Sequence, residues 1–390
     1  MGIRDQSARN RLRVMECLIG HGPMTRGDLA SKSGFAPATL SEITAGLAAE
    51  NLIITSAVAK AGPGRPRQLL EANAGAGHVI GIKLSMHEAT LALTNFAGTA
   101  LGTVKVPHVA GRLTVRQSVE ILAAQLRDLM TSMRLSPRQI AGIGLGIPGF
   151  VEHESGKCLW SPLFARDADQ LGPLLSDAMQ IPVRVDNDVN LVTLAERWFG
   201  MGRDCDNFLV ITLEHGLGMG LFLNGELYCG PRGIAGEFAH MQVEPNGLAC
   251  RCGRKGCLEA YVSDRAIAGK ASAIQGWPVP SDDAEVNQRM VDVTGLAMQG
   301  HAQLRALFAD AGTRLGRAAA NVANILAPEK VIVTGEAMRA EDLLMRPFAD
   351  AFRECLLDVL PTGLAWHRNS DEIWAKGAAA RVLGERFAGA

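Results

Sequence analysis

The chain has 390 residues, 47% hydrophobic and 20% charged, with a formal net charge of −1. That length buries a sizeable core and allows two or three domains, while the balance excludes a disordered chain and a protein that coats polyanions along its whole length. The first ten residues carry no apolar run and no 18-residue apolar stretch follows, so neither a signal peptide nor a membrane span is expected and a cytoplasmic location is.

Charge is unevenly spread. Residues 1–75 hold nine Lys/Arg against six Asp/Glu, a balance of +3 that leaves −4 for the remainder. A basic head on an acidic body predicts DNA contact at one end. The 43 glycines exceed the ~7% usual share, which suits an α/β protein with many tight turns. Of the eight cysteines, Cys17, Cys158, Cys205, Cys229 and Cys355 are scattered and read as reduced core thiols. Cys250, Cys252 and Cys257 cluster, which reads as metal binding rather than a disulfide.

In chain order, Leu12, Met15, Leu18 and Ile19 form one apolar stripe at helical spacing. Gly22-Pro23 breaks it, and Thr25-x-x-Asp28 resembles a capping box opening a second helix. Ser33-Gly34 makes a turn, and Pro37 suits the first position of a third helix whose buried face is Leu40, Ile43 and Leu47. Two short helices joined by a glycine-containing turn predict a helix-turn-helix, the second entering the major groove. Leu52-Ile53-Ile54 and Gln68-Leu69-Leu70 read as the strands of a wing around Gly64-Arg65-Pro66-Arg67. Arg65 and Arg67 on that stiff backbone suit a narrow minor groove. The tetrapeptide alone is as readily a linker; behind a helix-turn-helix it points to DNA. Ala38, Thr39, Ser41 and Glu42 on the third helix are base-edge candidates, with plain solvent exposure the alternative for each, and Arg26 at the second helix joins the expected DNA contacts. No arginine sits on the third helix for guanine. Glu42 can accept from cytosine N4.

From His78 apolar strands alternate with helices. Strands are expected at 78–82, 89–94, 140–146, 183–185, 208–213 and 331–333, and helices near 115–134, 189–199, 258–270, 303–326 and 374–387. This alternation over more than 300 residues predicts a helix-covered α/β sheet in two lobes. His240 precedes Cys250, Cys252 and Cys257 in a His-x9-Cys-x-Cys-x4-Cys run with Gly253 and Gly256 inside it. One imidazole and three thiolates suit Zn²⁺, and four protein ligands close a structural, tetrahedral site, one ion per chain. Glu237 and Glu259 flank it, so a metal-braced loop would hold both rigidly.

Gly236-Glu237-Phe238-Ala239-His240 followed by Cys250-Arg251-Cys252-Gly253-Arg254-Lys255-Gly256-Cys257-Leu258-Glu259 closely resembles the signature of the ROK family (repressors, open reading frames and kinases). Gly146-Ile147-Pro148-Gly149, Asp186-Asn187-Asp188-Val189-Asn190 and Ala195-Glu196 also stand where that family keeps sugar-lobe motifs, so the resemblance spans essentially the whole chain. It implies a two-lobed actin-like, sugar-kinase-like (ribonuclease H-like) domain behind the winged helix-turn-helix, in the regulator branch. It also implies a sugar held between lobes by Asn187, Asp188, Glu237, His240 and Glu259, with the position of Asp188 serving the family's kinases as general base. The expected domains are 1–75 for DNA binding, 76–195 completed by 372–390 for the first lobe, and 196–371 for a second lobe with the zinc motif and an oligomerisation surface.

Departures from the kinase pattern fall in the nucleotide motifs. The family's Asp-x-Gly-Gly-Thr is Lys83-Leu84-Ser85-Met86-His87, the second loop carries Glu214-His215 for Gly-Thr, and the adenosine-side Gly-Gly is Thr334-Gly335 followed by Glu336. Side chains in place of glycines obstruct close backbone approach to a phosphate, and a carboxylate repels it. No catalytic residue is expected. The reading is a sugar-responsive regulator, a repressor of carbohydrate-metabolism genes, binding operator DNA as a homodimer or homotetramer and not a membrane. The alternatives are an active ATP-dependent sugar kinase with an appended DNA-binding head, and a ligand-free regulator driven by a protein partner. Ala239 for a common glycine and Ala36 for a helix-capping serine have no functional account.

Overall fold

The computed structural model describes residues 6–58, 67–108, 113–164, 166, 168–368 and 371–389. The chain divides into two compact units: residues 1–203, 229–234 and 371–390 in one, 204–228 and 235–370 in the other.

The first unit begins with α1 (Gln6–His21), burying Val14, Met15 and Leu18. Thr25 Oγ1 accepts from Asp28 N at 3.2 Å to start α2 (Arg26–Ser33), which ends at Gly34 with φ 76°, a left-handed value that favours glycine. α3 (Pro37–Ala49) has proline in its first turn and no side-chain bond from Ala36 at its cap. It buries Leu40, Thr44 and Leu47. β1 (Ile53–Val58) and β2 (Arg67–Ala72) pair antiparallel from Ile53↔Ala72 to Val58↔Arg67. Three helices and a two-stranded wing form the expected winged helix-turn-helix.

There follow β3 (His78–Leu84), β4 (Glu88–Asn95), β5 (Ala100–Pro107), α4 (Val115–Ser132), β6 (Ile140–Ile147), β7 (Phe150–Glu152), β8 (Lys157–Trp160), α5 (Leu171–Met179), β9 (Val183–Asn187) and α6 (Asp188–Phe199). The sheet runs β5-β4-β3-β6-β9, antiparallel through β3 and parallel beyond it. In the second unit lie β10 (Phe208–Leu213), β11 (Leu217–Leu223), β12 (Glu226–Leu227), α7 (Glu259–Val262), α8 (Asp264–Gln275), α9 (Asp283–Met298), α10 (Ala302–Leu326), β13 (Lys330–Thr334), α11 (Glu341–Cys355) and β14 (Gly363–His367). Its sheet runs β12-β11-β10-β13-β14, with β13 parallel to both neighbours. The single helix expected over 258–270 is two, because Ser263 leaves the helical conformation and its side chain caps α8 by accepting from Ala266 N at 3.3 Å.

α12 (Asp371–Ala388) returns to the first unit and lies directly on its sheet. A Cβ at Gly81 would stand 1.8 Å from Ala375 O, one at Gly144 1.9 Å from Ala378 O, and one at Gly377 1.9 Å from Leu191 O of α6. Its other face joins the head. Val382, Leu383 and Phe387 share one core with Val14, Met15, Leu18, Val79 and Trp198, and Trp198 stacks on Phe387 with centroids 6.0 Å apart. Within that contact Arg197 Nη2 of α6 meets Glu16 Oε2 of α1 at 2.9 Å, the side chains 7% and 10% exposed. Burial pushes the Glu16 carboxyl up against the opposing pull of Arg197. Among the described residues no helix is long and apolar enough to cross a membrane.

Replacing Arg197 by Met would leave Glu16 buried without its ion-pair partner. The expected cost is about 3–5 kcal/mol in urea unfolding of the full chain; a change below about 1 kcal/mol would show that the pair does not tie α1 to α6.

Candidate functional site

On the head, Ala38, Thr39, Ser41 and Glu42 share the exposed surface of α3, and Arg26 is exposed at the start of α2. Ser41 Oγ donates to Pro37 O at 2.8 Å, so its hydroxyl is turned along its own helix. Arg67 opens β2, and Arg65 lies outside the described residues.

The first unit places Asn187 and Asp188 together where β9 turns into α6. Asn187 Oδ1 accepts from Val189 N at 2.9 Å and from Asn190 N, capping the helix, while its Nδ2 donates to Gly149 O at 2.9 Å. One amide therefore fixes both the helix start and the Gly146-Ile147-Pro148-Gly149 loop. Beneath it Asp186, fully buried, accepts from Asn187 N at 2.7 Å and Asn190 Nδ2 at 3.0 Å, and lies 2.6 Å from His153 Nδ1. Burial alone would raise its pKa, but the His153 hydrogen bond and the Arg381 charge hold it below the ordinary value. Asp186 and His153 support the turn, and sequence reasoning gave them no role. Asp186 sat in the quoted motif; His153, on the β7–β8 hairpin, had no local pattern to mark it.

The second unit gathers the other expected residues. Gly236 has φ 89°, and a Cβ there would stand 2.3 Å from Met219 O, so only glycine brings Glu237 alongside β11. Gly256, at φ 75°, would place a Cβ 1.8 Å from Glu244 O, which lets the cysteine loop fold tightly. One ligand atom from each of His240, Cys250, Cys252 and Cys257 lies within 4.8 Å of all the others. Cys252 and Cys257 Sγ are 3.7 Å apart, and Cys250 Sγ is 3.7 Å from His240 Nδ1. Zinc–sulfur bonds of about 2.3 Å in a tetrahedron give edges of about 3.8 Å. These four donors fit a metal ion with no side-chain movement beyond small adjustment.

Both glutamates border that group. Glu237 Oε2 is 4.0 Å from His240 Nε2, and Glu259 Oε2 is 3.8 Å from His240 Nδ1 and 3.5 Å from Cys250 Sγ. A ligand on the imidazole thus fixes the neighbourhood of both carboxylates. Burial, the largest influence on Glu237, raises its pKa, with His240 opposing.

In the same unit the loops around Glu214 and Glu336 carry charged side chains. Asp264, 1% exposed, forms an ion pair with Arg339, and its amide donates to Glu214 O at 3.2 Å. Burial pushes the Asp264 carboxyl up, with Arg339 and His215 pulling the other way. Asp264 Oδ1, Arg339 Nε and His215 Nδ1 are buried without hydrogen-bond partners. Asp264 and Arg339 escaped sequence reasoning because 75 residues separate them.

The ROK family model matches residues 79–383. The chain belongs to the ROK family. Its relatives include the N-acetylglucosamine repressor of Shigella flexneri, 27% identical over 379 residues that cover 96% of this chain and 92% of that protein. Among solved structures it resembles a ROK family transcriptional regulator, a homologue of the Escherichia coli Mlc protein, with TM-score 0.79 and 28% identity over 98% of this chain and 97% of that one. A ROK hexokinase from Thermus thermophilus is similar at TM-score 0.67 and 25% identity, covering 78% of this chain and 97% of its own.

Elemental analysis of untreated protein should find one metal ion per chain, and Cys252→Ser should lose it. Metal-free wild-type protein would mean that the four donors serve only as packing.

Proposed function

We propose that this protein is a sugar-responsive DNA-binding transcriptional regulator, a repressor of carbohydrate-metabolism genes, working in the cytoplasm as a homodimer or homotetramer. The observation that carries the reading is α6. Its first turn holds Asn187 and Asp188, and its last turn packs against the head through Arg197 and Trp198. A 12-residue helix is about 18 Å long, so one rigid element joins the effector residues to the DNA-binding core. A sugar that binds one arrangement of α6 better than another shifts the population of head positions.

In this reading Asn187, Asp188, Glu237, His240 and Glu259 contact the sugar. The ion held by His240, Cys250, Cys252 and Cys257 is Zn²⁺, since an imidazole and three thiolates at tetrahedral spacing match its preference and leave no open position for catalysis. When bound, zinc supplies structural bracing; Glu237 and Glu259 supply charged acceptors for sugar hydroxyls. The head reads operator DNA with Arg26 and the exposed residues of α3, and Arg65 and Arg67 contact the minor groove. Residues 1–75, 76–195 with 372–390, and 196–371 serve as the DNA-binding, first and second sugar-lobe segments.

The protein is not a kinase in this proposal. Asp264 and Arg339 satisfy each other's charge, and Glu214 and Glu336 add negative charge to the loops that would meet a triphosphate. The similarity to the hexokinase makes a kinase the reading to test against.

Replacing Arg65 and Arg67 together by Ala should weaken operator binding and lower the slope of log affinity against log salt by about 2, as each lost phosphate contact removes ~0.9. An unchanged slope would remove the wing from the interface. Glu237→Gln should leave sugar-free operator binding intact and weaken the sugar response about 10- to 100-fold, the loss of a charged hydrogen bond worth roughly 1.5–3 kcal/mol. The same preparations should show no sugar-dependent ATP turnover; turnover abolished by Asp188→Asn would establish the kinase instead.

A further inference from the structure

Lys83 stands where the family's kinases keep an aspartate for Mg²⁺, yet it is not an idle substitution. It closes β3 in register with Gly146 of β6, which is in register with Asp186 of β9. Asp188 follows directly after β9, and a Cβ at Gly146 would lie 3.8 Å from Asp188 Cα and 2.8 Å from Leu191 Cδ1. Gly146 therefore lets the first turn of α6 settle onto the strand next to Lys83. Residues 81 and 83 point to one side of β3, as alternate strand residues do. Gly81 touches α12, and Lys83 Nζ lies 4.3 Å from the ring centroid of Trp374 on that same helix. Lys83 is 7% exposed.

The groups facing Asp188 can be followed element by element. β3 offers Lys83, whose Nζ lies over the Trp374 ring of α12, β9 offers Asp186, and α6 offers the Val189 amide, which donates to Asp188 Oδ1 at 2.9 Å. β6 contributes only glycine at this point. Burial, the largest influence, leaves the Asp188 carboxyl above its ordinary value; among the charges Lys83 acts most strongly and favours the ionised form, with Asp186 opposing it. Lys83 is the one cation in that set.

We propose that Lys83, seated on Trp374, is a built-in counter-ion that keeps Asp188 an ionised, fixed acceptor for a sugar hydroxyl, in place of the metal and phosphate charges of a kinase. Lys83 is thus a positioning residue for sugar recognition. It makes that recognition independent of Mg²⁺ and nucleotide, and it lowers the proton affinity of a carboxylate that serves elsewhere as a base. The proposal rests on the reading that Asp188 contacts the sugar.

The test uses the full zinc-loaded chain, with Lys83→Met, Lys83→Arg, Asp188→Asn and the Lys83→Met/Asp188→Asn double variant. Thermal unfolding without sugar reads the pair itself: Lys83→Met should lower Tm by roughly twice as many degrees when Asp188 is intact as when Asp188→Asn is already in place. Equal losses in both backgrounds overturn the proposal. Calorimetry from pH 5 to 8 then uses N-acetylglucosamine, xylose and glucose as probes. Burial without Lys83 raises the Asp188 pKa further, so affinity lost on protonation should be lost at higher pH. In Lys83→Met the acid-side fall, about tenfold per pH unit at its steepest, should move up by roughly one unit, and Lys83→Arg should restore it. An unchanged pH profile in Lys83→Met overturns the proposal while leaving the sugar-regulator reading intact. Wild-type protein that binds none of the three probes overturns both, whatever the unfolding cycle gives.

Discussion

The first unit depends on a helix backbone lying closer to a sheet than any side chain permits. Gly81 and Gly144 leave no Cβ on two adjacent strands, and α12 drops until its carbonyls at Ala375 and Ala378 occupy the space. Gly377 repeats the arrangement toward α6. Interiors are packed to crystal-like density, so each missing methyl must be filled by something, and here it is filled by backbone. The consequence reaches outward. α12 set this deep can present Val382, Leu383 and Phe387 to the head while still covering the sheet, and α6, wedged beside it, is held at both ends.

Buried carboxylates in this molecule are set against cations of their own unit. A sugar kinase needs acidic groups for Mg²⁺ and glycine-rich turns for phosphate. This chain has Lys83 beside Asp188 in one unit and Asp264 ion-paired to Arg339 in the other. The metal group differs in kind: its donors come from the short 3-10 turn Phe238–His240 and the cysteine turn, and of the two carboxylates beside it Glu259 opens α7.

Much of the fold was legible because its determinants are local. The Thr25 cap, the Gly34 turn, Pro37 and the apolar stripe of α1 define the head within a few residues of each other. The metal ligands were legible for the same reason, as all four lie within one 18-residue span. Elements that were missed are those where tertiary packing overrides local preference. α11 carries Pro347 in its interior, a residue that reads as a helix end, and the helix survives because α10 presents Gly312 and Gly316 to it at carbonyl distance. α9 has mixed small and polar residues with a weak stripe and is fixed by burial of Val286, Met290 and Val293. The support of Asp186 by His153 and Arg381 spans up to 228 residues between His153 and Arg381, a relation no window of sequence contains. Nor did the sequence indicate that the head shares a core with α6 and α12, whose Trp198 and Phe387 lie far along the chain from Val14, Met15 and Leu18.

Asn187 shows how such economy constrains change. Its carbonyl oxygen is used by the helix it caps, and its amide by the loop at Gly149. An alanine at 187 would give up both the cap of α6 and the bond to the loop at Gly149, and so weaken the start of the element on which the head rests. The position is therefore costly to vary for ligand preference, since a side chain that gives up either bond loosens the start of α6. Divergence among regulators built on this plan should accumulate instead at positions whose side chains bear no structural duty, and half-exposed Glu237 at the rim of the metal group is such a position.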